Sequence, residues 1–207
     1  MIHVLAGVDG AGKSSIGGSA LHAAGLDWYN PDDVAREMRT RYPDRPVKEI
    51  RSAVWNEGLG RLKTAILEDM HFAFETTLGG RTITHTLLDA IAAGVKVNVW
   101  YCGLRTPELH IKRVAARVAR GGHDIPEETI RSRYKTSMVN LCRLAPGLHQ
   151  LAVYDNSRPL NDQGLSGIRL LLHMVQGKLR MPDTDMPDWA KPIAAVCLTK
   201  ANTDGIV

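Results

Sequence analysis

Near the amino terminus, Gly7-Val8-Asp9-Gly10-Ala11-Gly12-Lys13-Ser14 fits the pattern G-x-x-x-x-G-K-[ST]. Its glycines let the backbone curl until successive N–H groups point inward at phosphate oxygens, and a helix that follows adds partial positive charge at its first turn. Lys13 is placed to reach the β- and γ-phosphates of a nucleoside triphosphate, and the Ser14 hydroxyl to join a Mg²⁺ shell. Gly7, Asp9, Gly10, Ala11, Gly12, Lys13, Ser14 and the adjoining Ser15 form the expected nucleotide-binding set.

Further along, three groups of residues have the types that phosphoryl chemistry uses. Handing a γ-phosphoryl group to a hydroxyl needs an acid to accept the proton, with positioning and charge neutralisation around it. Asp32 and Asp33 follow the second apolar segment, at the sheet edge where ligands of open α/β sheets bind. Acids there also stabilise a helix start, an effect of about 0.3–1 kcal/mol, and position alone does not separate the two roles. Glu75-Thr76-Thr77 closes the third apolar segment, where Glu75 can hold Mg²⁺ through water or hydrogen-bond a substrate. Arg113, Arg117 and Arg120 recur at i, i+4 and i+7, on one helical face, with Ile111, Val114, Ala115 and Val118 on the other. Gly121-Gly122 then breaks the helix, His123 can touch phosphate or simply cap that turn, the plainer reading, and Arg131 and Arg133 follow on a returning helix. An arm of this kind closes guanidiniums over a triphosphate and shuts water out.

The elements that must position these groups alternate. Ile2 to Ala6, Asp27 to Tyr29, His71 to Glu75, Val95 to Cys102 and Leu148 to Tyr154 read as five strands. Helices are expected over about Lys13 to Ala24, from Pro31 through Met38, and over Val47 to Met70. Three more follow at Arg81 to Ala93, Pro107 to Arg120 and Pro126 to about Leu144. Asn30-Pro31-Asp32 has the form of an N-cap with proline at the first helical position. This predicts an α/β fold of the P-loop NTPase type, a three-layer sandwich around a mostly parallel five-stranded sheet. The core spans 1–157 and includes a helical lid at about 105–143. Residues 158–207 are expected to add a helix over Leu165 to Leu179 and an irregular tail punctuated by Pro182, Pro187 and Pro192, packed on the core through Trp189, Ile193 and Val196.

Composition narrows the function. The 207 residues carry 26 Lys+Arg against 22 Asp+Glu, a net charge of +4. Between Arg105 and Arg143 lie nine Lys/Arg and four Asp/Glu, so the whole surplus sits in one segment. That suits a local anionic ligand better than a nucleic-acid-coating surface, and with 5% aromatics there is no stacking groove for a polynucleotide. Three cysteines, Cys102, Cys142 and Cys197, lie far apart with no metal-ligand spacing, which fits a reducing, cytoplasmic setting. The start of the chain lacks the form of a signal peptide and no stretch is apolar enough to span a membrane.

Taken together, the phosphate loop, Asn30-Pro31-Asp32, Phe74 to Leu78, Tyr101 to Leu104 with Pro107-Glu108-Leu109, Arg113-Val114-Ala115, Arg120 to Pro126 and Arg131 to Tyr134 resemble the zeta toxin family of P-loop kinases, in its zeta-toxin-like ATPase branch. The resemblance covers residues 1 to about 157. It implies transfer of the γ-phosphoryl group of ATP or GTP, with Mg²⁺, to the 3′-hydroxyl of the sugar in UDP-N-acetylglucosamine, and a small helical antitoxin partner that blocks the nucleotide site. It also implies roles: Asp32 as proton acceptor, Lys13 as the phosphate-loop lysine, Arg113 and Arg120 as phosphate clamps, and Glu75 with Thr77 facing the sugar nucleotide. Asn30-Pro31 replaces the family's acidic-polar lead-in, and the segment from Arg113 to Arg120 is shorter, which brings Arg117 into the clamp. A metabolic or antibiotic-modifying kinase on the same core, or a nucleotide-dependent interaction module with slow ATPase activity, are the alternatives.

Overall fold

Strand β1 (Ile2–Ala6) is buried along its whole length, as five apolar or small residues between two parallel neighbours should be. The computed structural model describes residues 1–13, 28–158, 167–181 and 185–204. In these, β1 is followed by α1 (Pro31–Arg41), α2 (Val47–Leu67), β2 (Phe72–Thr76), α3 (Arg81–Ala92) and β3 (Val97–Gly103). Then come α4 (Pro107–Val118), α5 (Glu127–Leu144), β4 (Gln150–Asp155), β5 (Arg169–Val175), β6 (Lys178–Arg180) and α6 (Lys191–Asp204). The six strands lie in the order β2-β1-β3-β4-β5-β6, parallel from β2 to β4 and antiparallel from β4 to β6.

Period-two alternation sends Ile2, Val4, Ala6, Val99, Tyr101, Leu151 and Val153 to one face. There they meet Ile50, Val54 and Leu62 of α2, Leu87 of α3, Leu141 and Leu144 of α5, and Ile193 and Cys197 of α6. The opposite face is closed as well, with Leu5 and Cys102 buried. The register aligns Ala6 with Thr76 and Tyr101, and Gly103 with Asp155. Everything that follows these positions, including the phosphate loop, therefore leaves the sheet at one edge.

The second half of the chain departs from the sequence expectation. The described part of the helix expected over Leu165 to Leu179, residues 167–179, is not a helix: 167–168 precede β5, and Arg169–Val175 pairs with β4 and then turns back into β6. Gln176 and Gly177, both at positive φ (48° and 75°), join Val175 to Lys178 as a two-residue turn whose twist matches the strands. The run Leu170-Leu171-Leu172 imitates a helical face, but Leu171 and Leu172 are buried on a strand that lies between β4 and β6. The sheet thus has six strands rather than five. The strand expected at Asp27 to Tyr29 is, within the described residues, a single bridge from Tyr29 to Phe74. Most of the helix expected from Lys13 to Ala24 lies outside the described residues.

The described part of the tail, 185–204, departs from an irregular one as well. A 3-10 turn at Asp188–Ala190 leads into α6, with Pro192 in its first turn, where a missing N–H costs nothing. Trp189, 6% exposed, lies over Gly103, where an added Cβ would stand 2.4 Å from the ring. Trp189→Ala should therefore destabilise the fold by about 3–5 kcal/mol, read as a lowered melting temperature. A shift within error would mean that α6 contributes little to the core.

Candidate active site

The phosphate loop is shaped by contacts that only glycine tolerates. Gly7 has φ 146°, and a Cβ on it would lie 2.2 Å from the carbonyl oxygen of Cys102. Gly12 has φ 87°, and its Cβ would lie 2.4 Å from Asn156 Nδ2. That amide holds the loop by donating to Ala11 O at 2.9 Å. Asn156 O in turn accepts from Arg113 Nη2 at 2.7 Å, so one residue after β4 ties the loop to the basic helix.

Lys13 is 9% exposed and its Nζ lies 3.4 Å from Glu75 Oε1, at the end of β2. Burial pushes the Glu75 carboxyl above its usual range; Lys13 pulls it down, and the charges of Asp32 and Asp33 add to the rise. Glu75 Oε2 has no hydrogen-bond partner among the described residues. A buried ammonium and a half-satisfied carboxylate at a glycine loop leave places for a phosphate on one side and a cation on the other. One carboxylate beside a phosphate site is the donor set Mg²⁺ uses, with substrate oxygens and water filling its shell. Ser14 and Ser15, the hydroxyls expected beside Lys13, lie outside the described residues.

Asp9 is held from two directions. Arg133 Nη1 donates to Asp9 Oδ2 at 2.7 Å, and His110 Nδ1 lies 2.7 Å from Asp9 O. A carbonyl only accepts, so His110 carries its proton on Nδ1; burial lowers its pKa to about 4 and keeps it neutral. Burial opposes the ionised Asp9 carboxylate, but Lys13 and Arg133 outweigh it and hold the group below its ordinary value. The sign follows: this carboxylate stabilises the fold above the ordinary aspartate value, and that contribution fades as pH falls through the folded one. Asp9→Asn should cost about 1 kcal/mol at neutral pH, a modest figure because the Arg133 side chain is 37% exposed and water screens the pair. Thermal melts should converge as pH drops below about 4; a difference independent of pH would mean the pair is not what stabilises.

Across the cleft, Asn30 caps α1 by accepting from Asp32 N at 2.9 Å, with Pro31 in the first turn, as the sequence pattern requires. The two acids are now distinguished. Asp33 Oδ1 accepts from Arg36 Nη2 at 2.6 Å, whereas the charged neighbours of Asp32 among the described residues are Arg117 Nη1 and His123 Nε2, each at 4.0 Å. The Asp32 side chain is 54% exposed and open to a ligand.

The basic helix α4 brings its arginines to different places. Arg113 sits at the phosphate loop. Arg117 donates to His123 O at 3.3 Å, fastening the Gly121-Gly122 turn, and faces Asp32. Arg120 folds back on its own helix, Nε to Ala116 O at 3.1 Å, and lies exposed at the cleft rim. Arg131 pairs outward with Glu108 at 2.6 Å. Thr77 lines the cleft, its Oγ1 accepting from Gly79 N at 3.4 Å while Ser137 Oγ of α5 donates to its carbonyl at 2.7 Å.

Lys13, Asp32, Glu75, Arg113 and Arg133 line one cleft of about 1760 Å³, with Thr77, Arg117, Arg120 and His123. Sequence reasoning placed Arg133 on the basic arm without assigning it a partner, left out Asn156, and preferred the turn for His123. Arg133 had a signal: it stands three residues after Ile130 and four before Ser137, both buried, so it shares their inward face. Asn156 directly follows an apolar strand, at the edge where ligands bind.

No family model matches the chain. An uncharacterized protein of Haemophilus influenzae is 28% identical over 128 residues, covering 62% of this chain and 88% of that protein. Among solved structures, the AvrRxo1-ORF1:AvrRxo1-ORF2 complex with sulphate ions matches at TM-score 0.65 and 14% identity, over 89% of this chain and 61% of that one. This chain thus spans about three fifths of the chain it matches there. The same complex with ATP gives TM-score 0.64 and 14% identity, over 95% of this chain and 63% of that one. The PezAT chromosomal toxin-antitoxin system of Streptococcus pneumoniae gives TM-score 0.55 and 13% identity, over 98% and 85%. No described helix is long and apolar enough to cross a membrane. At these identities the likeness is one of architecture, an α/β fold with helices packed on a mostly parallel sheet.

Proposed function

We propose that the chain is a kinase that transfers the γ-phosphoryl group of ATP, or GTP, to a hydroxyl of a small acceptor, a sugar nucleotide such as UDP-N-acetylglucosamine. One observation carries this reading. A phosphate loop whose lysine is buried against Glu75 shares its cleft with a half-exposed carboxylate, Asp32, whose charged neighbours among the described residues stand off at 4.0 Å.

In this reading the loop amides and Lys13 hold the β- and γ-phosphates, and Arg113, fixed to Asn156, meets the charge that develops on the transferred group. Arg117 and Arg120 supply further positive charge from the same helix. Asp32 accepts the acceptor's hydroxyl proton as the new oxygen–phosphorus bond forms and the bond to the β-phosphate oxygen breaks, releasing the nucleoside diphosphate. Glu75 and Ser14 would hold Mg²⁺, which when bound supplies charge neutralisation on the phosphates. Glu75 and Thr77 face the acceptor. The lid helices α4 and α5 keep water from competing with the acceptor.

The free thiols of Cys102, Cys142 and Cys197 suit a cytoplasmic enzyme. A small helical antitoxin that covers the cleft is the proposed protein partner, by analogy with the two-component AvrRxo1 and PezAT structures. ADP formation measured with and without UDP-N-acetylglucosamine tests the reading. A rate that rises with this acceptor is expected. A rate that responds only to other hydroxyl compounds would reassign the acceptor, and none with any acceptor would remove the kinase reading.

A further inference from the structure

The phosphate loop carries a negative charge of its own, which conflicts with the ligand its amides attract. Asp9 is the one acid among residues 7–14, and its side chain is 11% exposed. His110 Nδ1 holds its carbonyl at 2.7 Å, so the backbone that bears the carboxylate is fixed in place. Lys13, the one cation of the same stretch, is already matched by Glu75 Oε1 at 3.4 Å. Left unmatched, the Asp9 carboxylate would repel incoming phosphate oxygens, because water screens like charges poorly in so enclosed a place.

The counter-charge comes from outside the loop. Arg133 of α5, 124 residues further along the chain, donates from Nη1 to Asp9 Oδ2 at 2.7 Å. It is the ion-pair partner of Asp9 among the described residues. Its stem passes Gly79, where an added Cβ would stand 2.9 Å from Arg133 Cγ. One and two turns on, the same face of α5 holds the segment after β2. Ser137 Oγ donates to Thr77 O at 2.7 Å, and Asn140 Nδ2 to Leu78 O at 2.8 Å. The guanidinium is thus presented to Asp9 from a helix anchored independently of it.

We propose that Arg133 is a positioning residue for the nucleotide: it holds and neutralises the Asp9 carboxylate and so makes the phosphate loop receptive to a polyanion. Arg133 acts through Asp9 rather than on the phosphates, and its effect grows with the charge of the ligand. This inference rests on nucleotide binding at the loop, one part of the kinase reading, and not on phosphoryl transfer.

A double-mutant cycle tests it, with the affinities for ATP and ADP, each with magnesium, measured by calorimetry and a melting curve taken for every variant. Arg133→Gln should weaken ATP binding by about tenfold to a hundredfold and ADP binding by less, and added salt should shrink both losses. Arg133→Lys, which keeps the charge, should retain most of the affinity. Asp9→Asn alone should bind ATP at least as tightly as the wild type, and added to Arg133→Gln it should restore binding to within a few fold. A double variant as weak as Arg133→Gln would mean that the guanidinium grips the nucleotide itself and would overturn the inference. So would equal losses for ATP and ADP at every salt concentration, the pattern of a purely structural role, or a tenfold loss in Asp9→Asn alone. A wild-type protein that binds neither nucleotide would remove this inference and the kinase reading together. Rescue by Asp9→Asn in a protein that transfers nothing would uphold the inference and sink the kinase reading alone.

Discussion

Lys13→Ala should lower phosphoryl transfer by about 10³-fold or more, the scale seen when a preorganised charge is removed from a developing anion. Its ammonium is 9% exposed and, among the described residues, pairs with Glu75 Oε1 at 3.4 Å. Water cannot take its place in such a pocket, so nothing replaces the charge when phosphate oxygens arrive. The same substitution leaves Glu75 buried beside Asp32 and Asp33 with its counter-charge gone, and its carboxyl, already raised by burial, should move further up. A steady-state assay at saturating ATP reads the effect, with a melting curve to show that the variant folds. Turnover within a few fold of wild type would mean that the loop amides suffice and that Lys13 serves only to neutralise Glu75.

Asp32→Ala should cost about 10²–10⁴-fold in kcat while leaving nucleotide binding near its original strength, the signature of a lost general base. The carboxylate is half exposed and its two charged neighbours stand off at 4.0 Å, so it is free to meet a hydroxyl. Asp33 is the natural control. Its oxygen is already taken by Arg36 at 2.6 Å, and Asp33→Ala should change kcat by no more than a few fold. A large loss in Asp33→Ala with little in Asp32→Ala would exchange the two roles. Small losses in both would point to a route in which the substrate itself takes the proton.

How much of this was legible in the residues depends on how local the cause is. Asn30-Pro31-Asp32 encodes its own cap, and the glycine loop encodes its curl, so both could be read without knowing the neighbours. Period-two and helical patterns likewise located β2, β3, β4 and α2 to α5 to within a few residues. The C-terminal hairpin was hidden because Leu171, Leu172 and Met174 are buried on a strand set by pairing with β4, an element that does not show in the local pattern. Its turn was written in Gln176-Gly177, a weaker mark than Asn-Gly. Pro192 disguised α6, since a proline stops a helix in its middle but suits its first turn. In the site, residue types were readable but destinations were not. The even spacing of Arg113, Arg117 and Arg120 gives no hint that the first joins the loop, the second faces Asp32 and the third turns back on its helix. Those outcomes depend on where β4 ends and how the glycine turn folds, which are properties of the assembled fold.

Phosphorus NMR of the protein incubated with ATP, magnesium and a small-molecule cell extract puts the central claim to the most direct trial. A new phosphomonoester resonance that grows in step with ADP, and vanishes in Lys13→Ala, is the expected spectrum. ADP accompanied only by inorganic phosphate, at a rate the extract does not change, would contradict it.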